Sequence, residues 1–390
     1  MVTTRPGGGV ALRRLELHDL RAFSHAALEP APEGTTVLVG PNGGGKTTFL
    51  EAVGFLGTQR SFRTTDRAAM VRVGADRAIV RADLERDGQP LLVEAELPTS
   101  GRVRTQVNRQ PARDRRHLAR AVPVTVFSPD DLAVVRGPPA NRRNLLDDAL
   151  RLLDLRTATA LDELDRALRQ RAALLRQAGG RCTADIATSL DVWDERLAVA
   201  GNLVALARRE LVTSLAPLVV DAYGVLAGAG TAGPGATRAG GDPRAPAATP
   251  PPSTLAVALA YLPTWEGDLA AALVASRAVD VRRAATTVGP HRDDLAVSLE
   301  ARDARTQASQ GEQRSLALAL RLALHRLVTD RTGVAPILLL DDVFSELDPV
   351  RSRALVRLLP PCQSLLTTAV PVPPGVPVAE IVDVRRAVTT

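Results

Sequence analysis

Three short stretches of this chain carry residues whose types and spacing could do chemistry. The first is Gly40-Pro41-Asn42-Gly43-Gly44-Gly45-Lys46-Thr47, followed by Thr48. It fits G-x-x-x-x-G-K-[ST] at every fixed position, with a β-branched run, Thr35–Val39, before it and an apolar helical pattern, FLEAVGFL, after it. Glycines let successive backbone N–H groups curl around phosphate oxygens, and a helix beginning near Lys46 turns its positive end toward them. In such a loop Lys46 reaches the β- and γ-phosphates of ATP, and the Thr47 hydroxyl holds Mg²⁺. Lys46 is the only lysine among 49 basic residues. Compositional bias explains arginine everywhere else, so position 46 calls for a compact ammonium where a planar guanidinium is a poor substitute.

The second stretch is Ile337-Leu-Leu-Leu-Asp341-Asp342, four apolar residues ending in two carboxylates. Alone it reads equally well as a strand ending in a solvated acidic turn. Beside a phosphate loop it reads as the strand whose Asp341 joins the Mg²⁺ shell and whose Asp342 orients the attacking water. The expected catalytic residues are thus Lys46, Asp341 and Asp342, and the expected metal ligands Thr47 and Asp341. Many relatives of such strands carry Glu at the second acidic position. Asp reaches less far, which points to slow hydrolysis. The third stretch, Ser309-Gln310-Gly311-Glu312-Gln313-Arg314, alone reads as a polar helix cap.

These stretches must be positioned by elements the sequence also specifies. At 390 residues the chain holds two or three domains, or one with an insertion. Apolar residues make up 45% and charged residues 24%, an ordinary globular balance. No run approaches the roughly 18 apolar residues of a membrane span, and the first residues lack a signal-peptide pattern. Cys182 and Cys362 form neither a disulfide framework nor a zinc site, which suits a reducing cytoplasm. The net charge of +6 is weak support for a polyanionic partner.

Leu12–Phe23 alternates as one half-exposed strand, and 78–97 as two strands around Asp87-Gly88. Further strands are expected over 102–110, Val122–Phe127, Leu295–Leu299, Ile337–Leu340 and Ser364–Thr368. From Asn141 to about 225 leucines recur at helical spacing, giving two or three long helices with a break near Gly179-Gly180. Residues 227–253, mostly Gly, Pro, Ala and Thr, read as a flexible linker. The expected division is a head formed by 1–140 and 285–390, with an inserted helical domain over 141–284.

In order, SQGEQR, the Ile337–Asp342 strand, Ser345-Glu-Leu-Asp348 and the Ser364–Thr368 strand resemble the signature, Walker B, D-loop and switch of ABC-type ATPases. That resemblance places Ser309, Gln310 and Gly311 on a γ-phosphate held by the opposite subunit, so that dimerisation around ATP completes the site. Thr367 or Thr368 stands where such ATPases often carry a switch His; a strand-end Thr is an equally good reading. The long helical insertion looks like the SMC-type branch and disfavours a transporter. Its helices are far too short for a long SMC arm.

Adding Phe127-Ser-Pro-Asp-Asp-Leu132, Asn141-Arg-Arg-Asn-Leu145, Thr287-Val-Gly-Pro-His-Arg-Asp-Asp-Leu295 and Leu339-Leu-Asp-Asp-Val-Phe-Ser-Glu-Leu-Asp348, the chain resembles the RecF family from Leu12 to about Thr368. It departs at Pro41, Gly44 and Thr48, where Glu, Gln and Asn are commoner, and in the 227–253 linker. The resemblance implies an α/β ABC-type P-loop ATPase head with an SMC-like helical lobe. It implies an ATP-dependent homodimer, weakly hydrolytic and DNA-stimulated, that binds double-stranded and gapped DNA. With RecR and RecO it would help load RecA, linked to the SOS response, in a cytoplasmic, nucleoid-associated setting. Another SMC-like repair ATPase, or a nucleotide-sensing scaffold that scarcely hydrolyses, are the rivals. Arg21 reads either as a nucleotide neighbour or as a surface arginine, and His291 and Arg292 as structural or as a DNA or dimer face. Arg142, Arg143, Arg166 and Arg169 are candidate phosphate contacts.

Overall fold

A computed structural model describes residues 9–228 and 257–387. The chain opens with β1 (Val10–Leu20), β2 (Phe23–Leu28), β3 (Thr35–Val39) and α1 (Lys46–Thr58), then β4 (Arg77–Arg86), β5 (Gln89–Pro98), β6 (Arg104–Val107) and β7 (Gln110–Pro111). α2 (Arg115–Ala121), β8 (Val124–Phe127) and α3 (Leu132–Arg136) lead to α4 (Pro139–Leu153), α5 (Leu155–Gln177) and α6 (Ala184–Gly228). Next come β9 (Val257–Leu262), α7 (Leu269–Arg283), β10 (Asp294–Leu299), β11 (Arg302–Asp303) and α8 (Ala304–Gln307). α9 (Gln310–Thr332), β12 (Ile337–Asp341), α10 (Pro349–Leu358), β13 (Ser364–Thr367) and β14 (Val378–Asp383) follow.

A five-stranded sheet in the order β14-β3-β13-β12-β8, parallel throughout, forms the centre. Its strands come from near both ends of the chain. Side chains alternate across it. Leu38, Ile337, Leu339 and Leu365 pack toward α1, while Val37, Leu338, Leu340 and Leu366 pack toward α9 and the insertion. Cover on both faces is why ILLL reads as an unbroken apolar run and why SLLT is buried at all four positions. The six-stranded antiparallel sheet β2-β1-β4-β5-β6-β7 shares a core with α1. Enclosed in this way, α1 buries every residue from Thr48 to Gly57, so apart from Thr48 and Glu51 that stretch is apolar all round.

Leu12–Phe23 is not one strand. The chain turns at Arg21, whose φ is +56°, and β2 returns antiparallel along β1. No glycine or asparagine marks the turn. Side-chain contacts of Arg21, described below, hold it. β14 escaped the sequence patterns as well, because it is an exposed edge strand with Ile381 62% accessible and no buried alternation.

The helical break falls at Gly179 and Gly180, with φ +55° and +84°. α6 has 45 residues and an 18-residue window of mean hydropathy 1.6, so by length and composition alone it could cross a membrane. Its Leu197, Val204, Leu211, Leu215, Val219 and Tyr223 lie in the main hydrophobic core instead. Arg171 is fully buried between Asp194 at 2.6 Å and Asp280 at 2.7 Å, and so ties α5 to α6 and α7. β9 pairs with β10, which lies beyond the expected boundary at 284/285. The expected 227–253 linker lies outside the described residues, apart from Ala227 and Gly228 at the end of α6.

Candidate nucleotide site

In an all-parallel sheet the C-terminal ends of the strands share one edge, where ligands of open α/β sheets bind. Here β3 runs into the Gly40–Thr47 loop, β12 ends at Asp341 and β13 ends at Thr367. The register sets Thr367 beside both Asp341 and Leu38. Thr47 Oγ1 donates to Asp341 Oδ1 at 2.8 Å, and Thr367 Oγ1 to the same oxygen at 2.6 Å. Burial pushes the Asp341 carboxyl above the ordinary carboxylate range, against the pull of those hydroxyls and of Arg63. Of the two threonines named from sequence, Thr367 faces this site. The Thr368 hydroxyl donates to Val370 O at 2.7 Å.

The loop fits a phosphate chain. Gly45 has φ +88°, and a Cβ there would lie 2.2 Å from the Phe23 ring, which packs beneath it. Pro41, Asn42 and Gly43 are exposed, and a Cβ on Gly43 would meet nothing within 4 Å. Lys46 Nζ donates across the loop to Gly40 O at 2.9 Å and Pro41 O at 3.1 Å. Thr48 is buried in the first turn of α1, its N–H bonded to Gly45 O at 2.9 Å.

Asp342 occupies the left-handed region, with φ +48°. Its N–H meets Thr367 O at 3.1 Å and Thr367 Oγ1 at 3.0 Å. Its Oδ1 accepts from the Ser345 hydroxyl, and from Ala369 N at 3.2 Å. The second carboxylate is therefore held on the segments that follow β12 and β13.

Arg21 is no free surface arginine. Its Nε and Nη2 grip the buried Glu51 of α1 at 2.9 and 2.5 Å, and Nη1 reaches Ala69 O at 2.6 Å. Glu51 also accepts from Ser61 Oγ at 2.5 Å and from Arg63 Nη1 at 3.2 Å. Sequence reasoning passed over Arg63, Phe23 and Glu51. A charged residue inside the apolar FLEAVGFL run was the one signal pointing at Glu51.

Ser309 caps α9 with a reciprocal box: Glu312 N donates to Ser309 Oγ at 3.3 Å, and Ser309 N to Glu312 Oε2 at 2.7 Å. The Ser309 N–H is the largest cause holding the Glu312 carboxyl below its ordinary range. Gly311 leaves room for Arg351, whose Nη1 would be 2.9 Å from any Cβ there. Arg314 reaches Glu346 O at 2.7 Å, so the start of α9 is bound to the Ser345–Asp348 segment. Among the described residues, Ser309, Gln310 and Gly311 make no hydrogen bond to the Gly40–Thr48 loop.

The Thr287–Leu295 stretch builds a polar joint. Asp293 accepts from Tyr261 Oη and from Thr264 N at 2.8 Å. Arg208 pairs with Asp147 at 2.8 Å and reaches Pro290 O at 2.6 Å. His291 and Arg292 both meet Thr286 O, so the structure gives them a local structural role. Arg142 is corrected as a phosphate contact: it is 4% exposed, with its guanidinium forked onto Asp294 at 2.7 and 2.9 Å. Arg143 donates to Asp293 O at 2.7 Å. Arg166 and Arg169 are exposed on α5.

A solved structure of the recombination mediator protein RecF-ATP in the RecFOR pathway superposes with a TM-score of 0.80 at 24% identity, covering 95% of this chain and 94% of that one. The sequence profile of the RecF/RecN/SMC N terminal domain matches residues 11–367. Fold and strand-edge loop together define an SMC-type ATPase head carrying a helical insertion. A protein of Frankia alni described as DNA replication and repair protein RecF is 41% identical over 364 residues, 92% of this chain and 93% of the relative. One of the same description from Beutenbergia cavernae is 39% identical, covering 91% and 92%. The chain belongs to the RecF family.

Proposed function

We propose that this chain is an ATP-dependent DNA-binding protein of recombinational repair and replication-fork maintenance. The observation that carries the reading is the junction of Thr47, Asp341 and Thr367 at the common edge of three parallel strands. Residues 1–140 and 285–390 act as the head and 141–284 as an inserted unit, which the β9–β10 ladder stitches to the head. The Gly40–Thr48 loop wraps the ATP phosphates and Lys46 turns from Gly40 O and Pro41 O toward them. Thr47 and Asp341 hold Mg²⁺, which when bound neutralises charge on the β- and γ-phosphates. Asp342 orients water, and Ser309, Gln310 and Gly311 serve the γ-phosphate of a second copy. A closed dimer then presents duplex or gapped DNA with an arginine-lined surface, acts with RecR and RecO in loading RecA, and resets by slow, DNA-stimulated hydrolysis.

The tether of Asp342 on Ser345 and Ala369 favours slow turnover and keeps the nucleotide-sensing scaffold as a second reading. Single-turnover hydrolysis separates the two. The main reading is tested by sedimentation and gapped-duplex binding with ATP and Mg²⁺. Dimers and tight DNA binding should both need ATP and both vanish in Asp341→Asn. Equal affinity with and without ATP overturns it.

A further inference from the structure

A cavity of about 350 Å³ lies between α1, β8, α4 and α9, and no residue of the Gly40–Thr48 loop, of the Asp341–Asp342 pair or of Ser309–Gly311 lines it. Its volume falls within the range of small-molecule sites, which pair an apolar wall with a few convergent polar groups. Val124, Leu145, Leu152, Leu324 and Val328 supply such a wall.

Four arginines from separate segments also line it: Arg60 just after α1, Arg115 at the start of α2, Arg151 on α4 and Arg321 on α9. Arg60 is paired with Asp148 and donates to Asn144 at 3.0 Å. Arg151 is buried and paired with Asp162 at 2.7 Å. Arg115 is different. Its nearest carboxylate, Asp165, is 4.0 Å away, and among the described residues it makes no hydrogen bond. Burial, then the positive charges of Arg151 and Arg60, hold its pKa below that of an ordinary guanidinium. Of the carboxylates lining the cavity, Asp131 is neutralised by Arg321 at 2.7 Å and Asp148 by Arg60, leaving Asp130. A cation in a cavity lined by other guanidiniums, with its one carboxylate partner held only at 4.0 Å, is what an anion would relieve.

We propose that this cavity is a second ligand site, for a phosphate-bearing molecule of mononucleotide size, with its phosphate on Arg60, Arg115 and Arg151 and its ring against the apolar wall. The placement suits regulation. Ser61 and Phe62 line the cavity two residues or fewer from Arg63, and α9 lines it a few turns from Ser309.

The test uses the full chain carrying Lys46→Ala, which disables the phosphate loop, titrated calorimetrically with AMP, GMP and CMP, with adenosine and inorganic phosphate as separate arms. At least one monophosphate should bind, more tightly than either fragment. Arg115→Glu should weaken it about tenfold or more, the scale of losing a charged hydrogen bond. Arg115 is half exposed, so that variant should fold. Leu152→Trp, which adds bulk to the apolar lining and leaves every arginine in place, should abolish binding too. No binding by any monophosphate, an affinity that survives both variants, or adenosine binding as tightly as AMP, each overturns the proposal.

Discussion

Lys46 stands alone as a lysine, and its Nζ donates to two carbonyls of its own loop, contacts that suit a compact ammonium. A guanidinium needs a wider, planar setting. Lys46→Arg should lower hydrolysis at saturating ATP about a hundredfold, the scale of losing one transition-state contact, with an unchanged melting temperature. Turnover like that of the parent would remove the account of the single lysine. Much at this scale was legible in the sequence, because a glycine loop, a lysine and a carboxylate-ended strand are local patterns. Phe23, Glu51 and Arg63 were not, because their meaning lies in contacts between segments far apart in the chain. Arg142 misled for the same reason: sequence shows a charge, whereas burial and the fork onto Asp294 are tertiary facts.

Among the elements, continuous apolar runs and leucine stripes identified β3, β12, β13 and α4 to α6, since a strand covered on both faces or an amphipathic helix writes its environment into its own sequence. β2 and β14 were hidden because a side-chain-held turn and an exposed edge leave no such trace. The capped start of α9 invites a test of the shared-site reading. Ser309→Arg should leave ATP binding by monomers intact and abolish ATP-induced dimers in sedimentation, since a long cation would fill space kept for the partner's phosphate. Normal dimers would contradict that arrangement. α9 also carries a pH-sensitive packing contact. Burial pushes His325, 2% exposed beside Thr125, down to about 4. The unfolded chain titrates near 6.5, so between those values it binds more protons than the fold does. Stability is thus complete above about pH 6.5 and is lost as pH falls toward about 4, by up to about 3 kcal/mol for this histidine. Carboxyls raised by burial, such as Asp131 and Asp341, act in the opposite sense at the acid end, so the informative quantity is a difference. His325→Asn should lose less stability than the parent between pH 7.5 and 5 in urea titrations. Equal losses would place the titration elsewhere.

Across the whole molecule, Arg166 and Arg169 are the exposed members of the four candidate phosphate contacts, and few aromatics are available to stack bases. Duplex affinity should therefore fall linearly with salt on logarithmic axes, at a slope near −0.9 per phosphate contact. Arg166→Gln with Arg169→Gln should flatten that slope and leave ATP binding alone. Arg142→Gln should instead destabilise the fold by about 1–3 kcal/mol, because Asp294 and the carbonyls of Val134, Val135 and Gly137 lose a charged donor. A salt-independent affinity would deny that phosphates dominate.

The order of the central sheet also has a consequence in time. β3, which feeds the phosphate loop, is flanked on both sides by β13 and β14, and Gln363 reaches back to pair with the backbone of Leu12 at 2.7 and 2.8 Å. Synthesis proceeds from the N-terminus, and contacts this distant in sequence form slowly. On the ribosome the glycine loop must therefore wait, without neighbours for its strand, until β13 and β14 emerge. A chain stopped short of β13 would carry the whole nucleotide motif and have no edge on which to use it.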